Sequence, residues 1–394
     1  MNRIFLKIAL ALSPLLLFSS CGKSGNGDEP LPSVKNAPRT LLVYMEACNS
    51  LGTSRFDNSD INEMIRAARN GDIGENRLLV FHHPRKGEPV LKEIKNLTGE
   101  IDTLAIYDNS VSSVSSARME QVIADVKRLA PADDYGLVLW SHGNGWIRVS
   151  SAQEGEATLA RPNAFGVDET LGSGSSRKYM NTDVLGATLR GKGFSFIYFD
   201  CCYMACVEVM WDLRGTAPFI VASSTELPAA GMPYDRNVSC LLAKNADLVG
   251  AASNTFDLYD SKSGSDRTCT ISVIDMSAID RLGQATKAIY SAHPKLVEGY
   301  RSQKFMTEST CYHFDFGHYV NSFEGIDPEL LSEWNAALDN AVIYKASTPM
   351  LWNEIPLTHH SGLSTQVLST ASQAQTKGYS DLLWWKDVAS FLWQ

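Results

Sequence analysis

The chain has 394 residues, 44% of them hydrophobic and 20% charged, with a formal net charge of −9. These figures fit a globular protein of one large or two medium domains and exclude a disordered or fibrous chain. The acidic balance gives no reason for nucleic acid or an anionic membrane to bind the surface, since both need clustered positive charge; a basic substrate suits it better.

Arg3 and Lys7 precede an apolar run, IALALSPLLLF, that is too short for a comfortable membrane span and has the form of an export signal. It ends at Leu17-Phe18-Ser19-Ser20-Cys21-Gly22, which resembles a bacterial lipoprotein box and makes Cys21 the expected lipidated residue. A secreted protein cleaved there without lipid is the alternative. Residues 22–38, rich in Gly, Ser, Asp and Pro, read as a flexible tether. The expected organisation is a signal peptide over 1–20, a tether over 21–38 and one folded domain over 39–394. The chain is then lipid-anchored in the cell envelope, facing the periplasm or the cell surface.

Beyond the tether, short apolar strands alternate with amphipathic helices, the arrangement of a mostly parallel sheet covered on both faces. Strands are expected at Thr40 to Tyr44, Arg77 to Phe81, Tyr135 to Trp140, Phe194 to Phe199, Phe219 to Ala222, Thr270 to Ile274 and Leu363 to Leu368. Several are apolar throughout, as strands buried on both faces are. Ile61, Met64, Ile65 and Ala68 share one helix face, as do Met119, Val122, Ile123 and Val126. Ser277 with Asp280 marks the start of a further helix carrying Ile279, Leu282 and Ile289.

Apart from Cys21, seven cysteines remain without C-x-x-C spacing, which is no disulfide framework. Most are expected to be plain buried thiols. His82-His83 and His359-His360 are adjacent pairs whose members project differently, and no Cys or His set has zinc-finger or H-E-x-x-H spacing. No metal ligands and no required cofactor follow from the residues alone.

Chemistry concentrates at two strand ends, and ligands of open parallel sheets bind beyond the carboxyl ends of the strands. YGLVLW runs into Ser141-His142-Gly143-Asn144-Gly145-Trp146, a histidine entering a glycine-rich turn. FSFIYF runs into Asp200-Cys201-Cys202-Tyr203-Met204, followed by Val207, Met210 and Trp211 at helical spacing. That order allows a cysteine at or near a helix N-terminus, where partial positive charge favours thiolate. Taken singly, each motif also suits a structural histidine or a buried thiol.

His142 and Cys202 are 60 residues apart, a separation comparable to that of caspase-type proteases. From Arg39 onward the chain resembles the clostripain family, cysteine peptidases of the caspase-like clan. The resemblance rests on LLVYMEACNSL, YGLVLWSHGNGW, FGVDET, FDCCYMACVEV, ASSTELPAAGMPYD, ISVIDMS and the late GLS. It implies an α/β fold, a caspase-like three-layer sandwich with a mostly parallel central sheet and helices on both faces. It makes residues 39–394 a peptidase domain acting on protein or peptide substrates with basic residues, as a monomeric catalytic unit.

Residue by residue, the resemblance implies His142 as base and Cys202 as nucleophile, with Cys201 packing, and Asp200 in the pocket for a basic side chain. Backbone N–H groups of Gly143 and Cys202 are the expected oxyanion donors. No side-chain orienter of His142 is evident. Cys48 stands where relatives more often carry an acid, and Met232 where a tryptophan is common; Glu226 and Asp235 are the candidates for a second pocket acid. Some relatives depend on calcium, although no D-x-D-x-D-G loop occurs here. The family often cuts itself between the two motifs. Here Ile147 to Tyr179, rich in small and polar residues, reads as an exposed loop, with Arg177 and Lys178 preferred over Arg148 and over Arg161 before Pro162. A catalytically silent surface-binding lipoprotein on the same fold is the alternative. A serine esterase is disfavoured because no G-x-S-x-G follows a strand.

Overall fold

Leu41 to Met45 are apolar at every position because both faces of their strand are covered, one by each of two hydrophobic cores. The computed structural model describes residues 36–148, 165–170, 172, 177–296, 302–306 and 311–394, which belong to the unit Asn36–Gln394. Cys21 and the expected signal and tether lie outside them, apart from the last residues of the tether.

In chain order the strands are β1 (Ala37–Glu46), β2 (Arg77–His83), β3 (Val90–Ile94), β4 (Ile101–Ile106), β5 (Ala132–Trp140), β6 (Phe165–Asp168), β7 (Lys178–Met180), β8 (Phe196–Asp200), β9 (Phe219–Ala222), β10 (Thr270–Asp275), β11 (Phe314–Asp315), β12 (Val342–Ser347), β13 (Met350–Leu351), β14 (Ile355–Pro356) and β15 (Ser364–Thr365). Nine of them form one sheet in the order β12-β10-β9-β8-β5-β1-β2-β3-β4. Its central run, β9-β8-β5-β1-β2, is parallel, and antiparallel strands extend both edges.

One core packs beneath helices Ser116–Leu129, Val207–Asp212, Ile279–Ser291 and Pro328–Ala341, with Met119, Val122, Ile123 and Val126 all buried. The other packs beneath helices Phe56–Asn70, Tyr234–Leu242 and Leu248–Asp260, and it takes Ile61, Met64 and Ala68. Helices therefore cover both faces of the sheet, in three layers. From β1 the chain moves one way to β2 and later returns on the other side to β5. That puts a topological switch point beside β1, at the carboxyl ends of β1, β5 and β8.

Three sequence expectations change. Leu363 to Leu368 is not a strand of the main sheet; only Ser364–Thr365 pairs, with β11 in a separate ribbon. Edge strands β3, β4 and β12 join the sheet although their mixed, half-exposed residues do not read as buried strands. Asp275, not Ser277, caps the turn before helix Ile279–Ser291, its carboxylate accepting the Ser277 N–H at 2.9 Å. Among the described residues all seven cysteines are free thiols, five of them buried, and no helix is long and apolar enough to cross a membrane.

Candidate active site

Two loops leave the sheet from neighbouring parallel strands. Trp140 of β5 and Asp200 of β8 are the last register pair between them. Two residues beyond each stand His142 and Cys202, which therefore leave the sheet at the same height. Both line a pocket of about 340 Å³ together with Asp200, Glu226, Leu227 and Trp352. Both thiols border the pocket, Cys202 half-buried and Cys201 buried, with the Cys201 thiol donating to the Leu139 carbonyl at 3.1 Å.

The Cys202 thiol meets the Leu227 carbonyl at 3.7 Å. Tyr203 follows with φ 61°, a left-handed conformation that costs a non-glycine residue roughly 1–3 kcal/mol. It is held by its N–H on the Thr225 carbonyl and by stacking on His313 at 4.6 Å. Helix Val207–Asp212 begins five residues after Cys202, with Cys206 at its cap position. The expected seat of Cys202 near a helix N-terminus is therefore not realised, because the dipole's influence fades within one turn. The two loops touch through Gly143, where a Cβ would stand 2.7 Å from the Cys202 carbonyl oxygen and 2.9 Å from Cys201 Cβ. Only glycine lets them approach so closely.

His142 does have a side-chain partner that the sequence did not reveal. The Ser50 hydroxyl lies 2.8 Å from His142 Nε2. Ser50 opens a short helical turn whose cap, Asn49, accepts the Leu51 N–H and donates to the carbonyls of Glu46 and Val167. Burial, and then the guanidinium of Arg177, pushes His142 down to about 4, so the imidazole is neutral at neutral pH.

Asp200 is buried beneath the pocket, its carboxylate accepting the Met232 N–H at 3.2 and 3.3 Å and the Tyr234 hydroxyl at 3.1 Å. Gly231, at φ 62°, lies directly on it; a Cβ there would be 2.6 Å from Oδ2. Met232 is fully buried. A second buried acid, Asp60, accepts the Trp140 indole N–H at 2.7 Å. Burial and then repulsion from Asp200 push Asp60 well above the ordinary carboxylate range; burial, opposed by its hydrogen bonds and reinforced by Glu63, raises Asp200. Among the described residues neither carboxylate forms an ion pair with a lysine or arginine. Of the two acids expected nearby, Glu226 lines the pocket, while Asp235 is engaged by Arg66 at 3.3 Å. Asp57, Asp60 and Glu63 recur every third residue of helix Phe56–Asn70, a spacing that does not by itself mark Asp60 as a pocket residue.

The segment between the motifs is not one exposed loop. Phe165 to Asp168 form buried β6, bonded to the His142 carbonyl through the Gly166 N–H and paired with β7. Arg148 pairs with Asp183 at 2.9 Å, and Arg177 with Glu169 at 2.7 Å. Lys178 is exposed and opens β7 opposite Asp168; Arg161 lies outside the described residues.

His82 and His83 do project differently: His82 Nε2 lies 2.7 Å from Asp57 and His83 Nδ1 2.8 Å from Glu46. The expectation of no metal-ligating set nevertheless meets a candidate here. The donor atoms of Cys48, His83 and Asp168, all buried, lie within 4.8 Å of one another.

The clostripain-family profile matches residues 43–363. The chain is similar to an inactive zymogen C11 protease from Parabacteroides distasonis, at 29% identity and a TM-score of 0.75, covering 90% of this chain and 99% of that one. It is likewise similar to a secreted C11 cysteine protease from Bacteroides thetaiotaomicron in complex with an irreversible peptide inhibitor, at 28% identity and 0.77, covering 91% and 100%. Another secreted C11 cysteine protease of that organism, iotapain, shares the fold at 22% identity and 0.78, covering 90% and 99%. A search of curated proteins finds no match.

Proposed function

The chain belongs to the clostripain family and is a cysteine peptidase of caspase-like fold, and on that premise we propose that it is an exported, lipid-anchored endopeptidase cleaving after arginine or lysine with His142 and Cys202. The observation that carries the assignment of the two residues is the Trp140–Asp200 register, from which His142 and Cys202 open on one pocket.

In this mechanism the Cys202 thiol passes its proton to the neutral His142 imidazole, and the sulfur attacks the scissile carbonyl carbon. The resulting oxyanion is held by the N–H groups of Gly143 and Cys202; losing one such donor costs about 10²- to 10³-fold in rate. His142 then protonates the leaving amine as the C–N bond breaks, and water hydrolyses the thioester to restore the thiol. Ser50 orients the imidazole.

Specificity rests on Asp200, with Asp60 behind it and Glu226 at the wall. A guanidinium or ammonium reaching Asp200 forms a charge-assisted hydrogen bond worth roughly 1.5–3 kcal/mol and relieves the crowding of two buried carboxylates. The relative solved with a peptide inhibitor supports a peptide as the ligand class. The experiment is a panel of peptides differing only in the residue before the cut. Arg and Lys substrates should turn over at least tenfold faster than norleucine, and equal rates would remove the specificity.

Cys21 is the proposed lipid attachment, placing the enzyme in the cell envelope. Cys21→Ala should release the protein from membranes, and unchanged fractionation would count against the anchor. The zymogen relative supports production of an inactive precursor, and we assign self-cleavage after Arg177 or Lys178. N-terminal sequencing of the wild type and Cys202→Ala, purified side by side, should find the new terminus only in the wild type. A nick in both, or in neither, would exclude self-processing.

A further inference from the structure

We infer that Cys48, His83 and Asp168 form a second, separate site that binds one zinc-type divalent cation. The three residues are 35 and 85 positions apart in sequence and meet only because β1, β2 and β6 bring them together at the carboxyl ends of β1 and β2. All three are buried and their donor atoms lie within 4.8 Å of one another. A tetrahedral zinc, about 2.0–2.3 Å from each ligand, needs donors roughly 3.5 Å apart. Closing by about 1 Å would suffice.

The outer contacts are those a metal site requires. His83 Nδ1 is held 2.8 Å from Glu46 Oε2, which directs Nε2 toward the other donors, the carboxylate–histidine–metal arrangement that fixes the ring. Asp168 is oriented through Oδ2 by the Ser112 hydroxyl at 2.6 Å and the Ser113 N–H at 2.9 Å, and through Oδ1 by the Thr170 N–H at 2.8 Å. The Cys48 backbone is tied by its N–H to Glu46 Oε1 at 2.8 Å. At the centre stands the Thr170 hydroxyl, 3.6 Å from Cys48 Sγ, 3.3 Å from His83 Nε2 and 2.5 Å from Asp168 Oδ1. One polar atom touching all three donors marks where a cation would sit, and the hydroxyl or a water can complete four-coordination. One thiolate, one imidazole and one carboxylate suit zinc better than calcium or magnesium, which take oxygen donors. Arg85, 3.8 Å from Cys48 Sγ, is the competing charge; its guanidinium is also drawn to Glu169 at 3.3 Å.

Binding would transfer the Cys48 thiol proton to solvent and clamp the turn from Glu46 to Ser50, the turn whose hydroxyl meets His142. The proposal does not depend on which residue is the nucleophile, and Cys202→Ala removes the pocket thiol as a competing zinc ligand. The test uses the full chain carrying Cys202→Ala, stripped of metal and titrated with Zn²⁺ and with Co²⁺. One equivalent of Zn²⁺ should bind, and Co²⁺ should give a thiolate-to-cobalt charge-transfer band. Cys48→Ser should abolish the band, and Glu46→Gln should weaken zinc binding about 10- to 100-fold. Absence of a bound equivalent or of the band in the parent, or undiminished zinc binding by Cys48→Ser, would overturn the site.

Discussion

Trp140 and Asp200 face each other as the last paired residues of adjacent parallel strands, and each is followed two residues later by a side chain of the pocket. Of the two adjacent thiols, Cys201 is buried and bonded to the Leu139 carbonyl, while Cys202 is the more exposed. Cys202→Ala should therefore abolish peptide hydrolysis, whereas Cys201→Ala should keep most of it. The cost of Cys201→Ala should appear as lost stability, about 1 kcal/mol for a small buried side chain, read from the denaturation midpoint. A Cys201→Ala protein that is stable but inactive would reverse the roles of the two thiols.

Asp200→Asn separates binding from folding. The carboxyls of Asp200 and Asp60 are raised by burial. A group raised in the folded state contributes stability that is present at acid pH and lost as pH climbs above the ordinary carboxylate range, where the folded pair must ionise. At pH 8 the Asn variant should melt no lower than the wild type, while kcat/KM for arginine peptides falls about 10- to 150-fold. Clear destabilisation at pH 8 without loss of arginine preference would contradict both parts.

Gly231→Ala tests the same pocket from above. Its φ of 62° and the 2.6 Å approach to Asp200 leave no room for a methyl group. Cleavage after arginine should drop at least tenfold, with stability lower by roughly 1 kcal/mol or more. Wild-type kinetics would mean that the turn does not shape the pocket.

Ser50→Ala should lower kcat several-fold, leave KM near its wild-type value and move the acid limb of the pH–rate profile, because its hydroxyl orients the imidazole. Equal changes in kcat and KM with no shift in the profile would reduce Ser50 to a helix-start residue.

Arg177→Gln should raise the titration of His142 without restoring the ordinary value of 6.5, since burial is the larger cause and Arg177 the smaller. With its folded value lowered to about 4, His142 contributes stability above pH 6.5 that is lost as pH falls toward 4, because the unfolded chain takes the proton first. Imidazole NMR signals of Cys202→Ala with and without Arg177→Gln report the shift, and identical curves would place Arg177 too far away to act.

The central strands were legible because Leu41 to Met45, Leu78 to Phe81 and Phe196 to Phe199 are buried on both faces, which leaves a continuous apolar run. Edge strands such as Ile101–Ile106 carry exposed and charged residues and leave no such mark. His142, Asp200 and Cys202 could be read because they stand at or just beyond the ends of two apolar strands, in motifs that resemble those of the clostripain family. Ser50, Asp60 and the Cys48–His83–Asp168 cluster could not, since they become neighbours only when the parallel order β2-β1-β5-β8 is formed. Helix Val207–Asp212 starts too late to reach Cys202 because Met204 to Cys206, though apolar, form a turn that is buried, not helical.

The most direct measurement is covalent labelling of the purified protein with an irreversible peptide inhibitor ending in arginine, followed by mass spectrometry of the digested adduct. One equivalent should attach, to the sulfur of Cys202, in the wild type and in Cys201→Ala, with none in Cys202→Ala and markedly slower attachment in Asp200→Asn. Full labelling of Cys202→Ala, or an adduct on another cysteine, would contradict the assignment of Cys202 as the nucleophile.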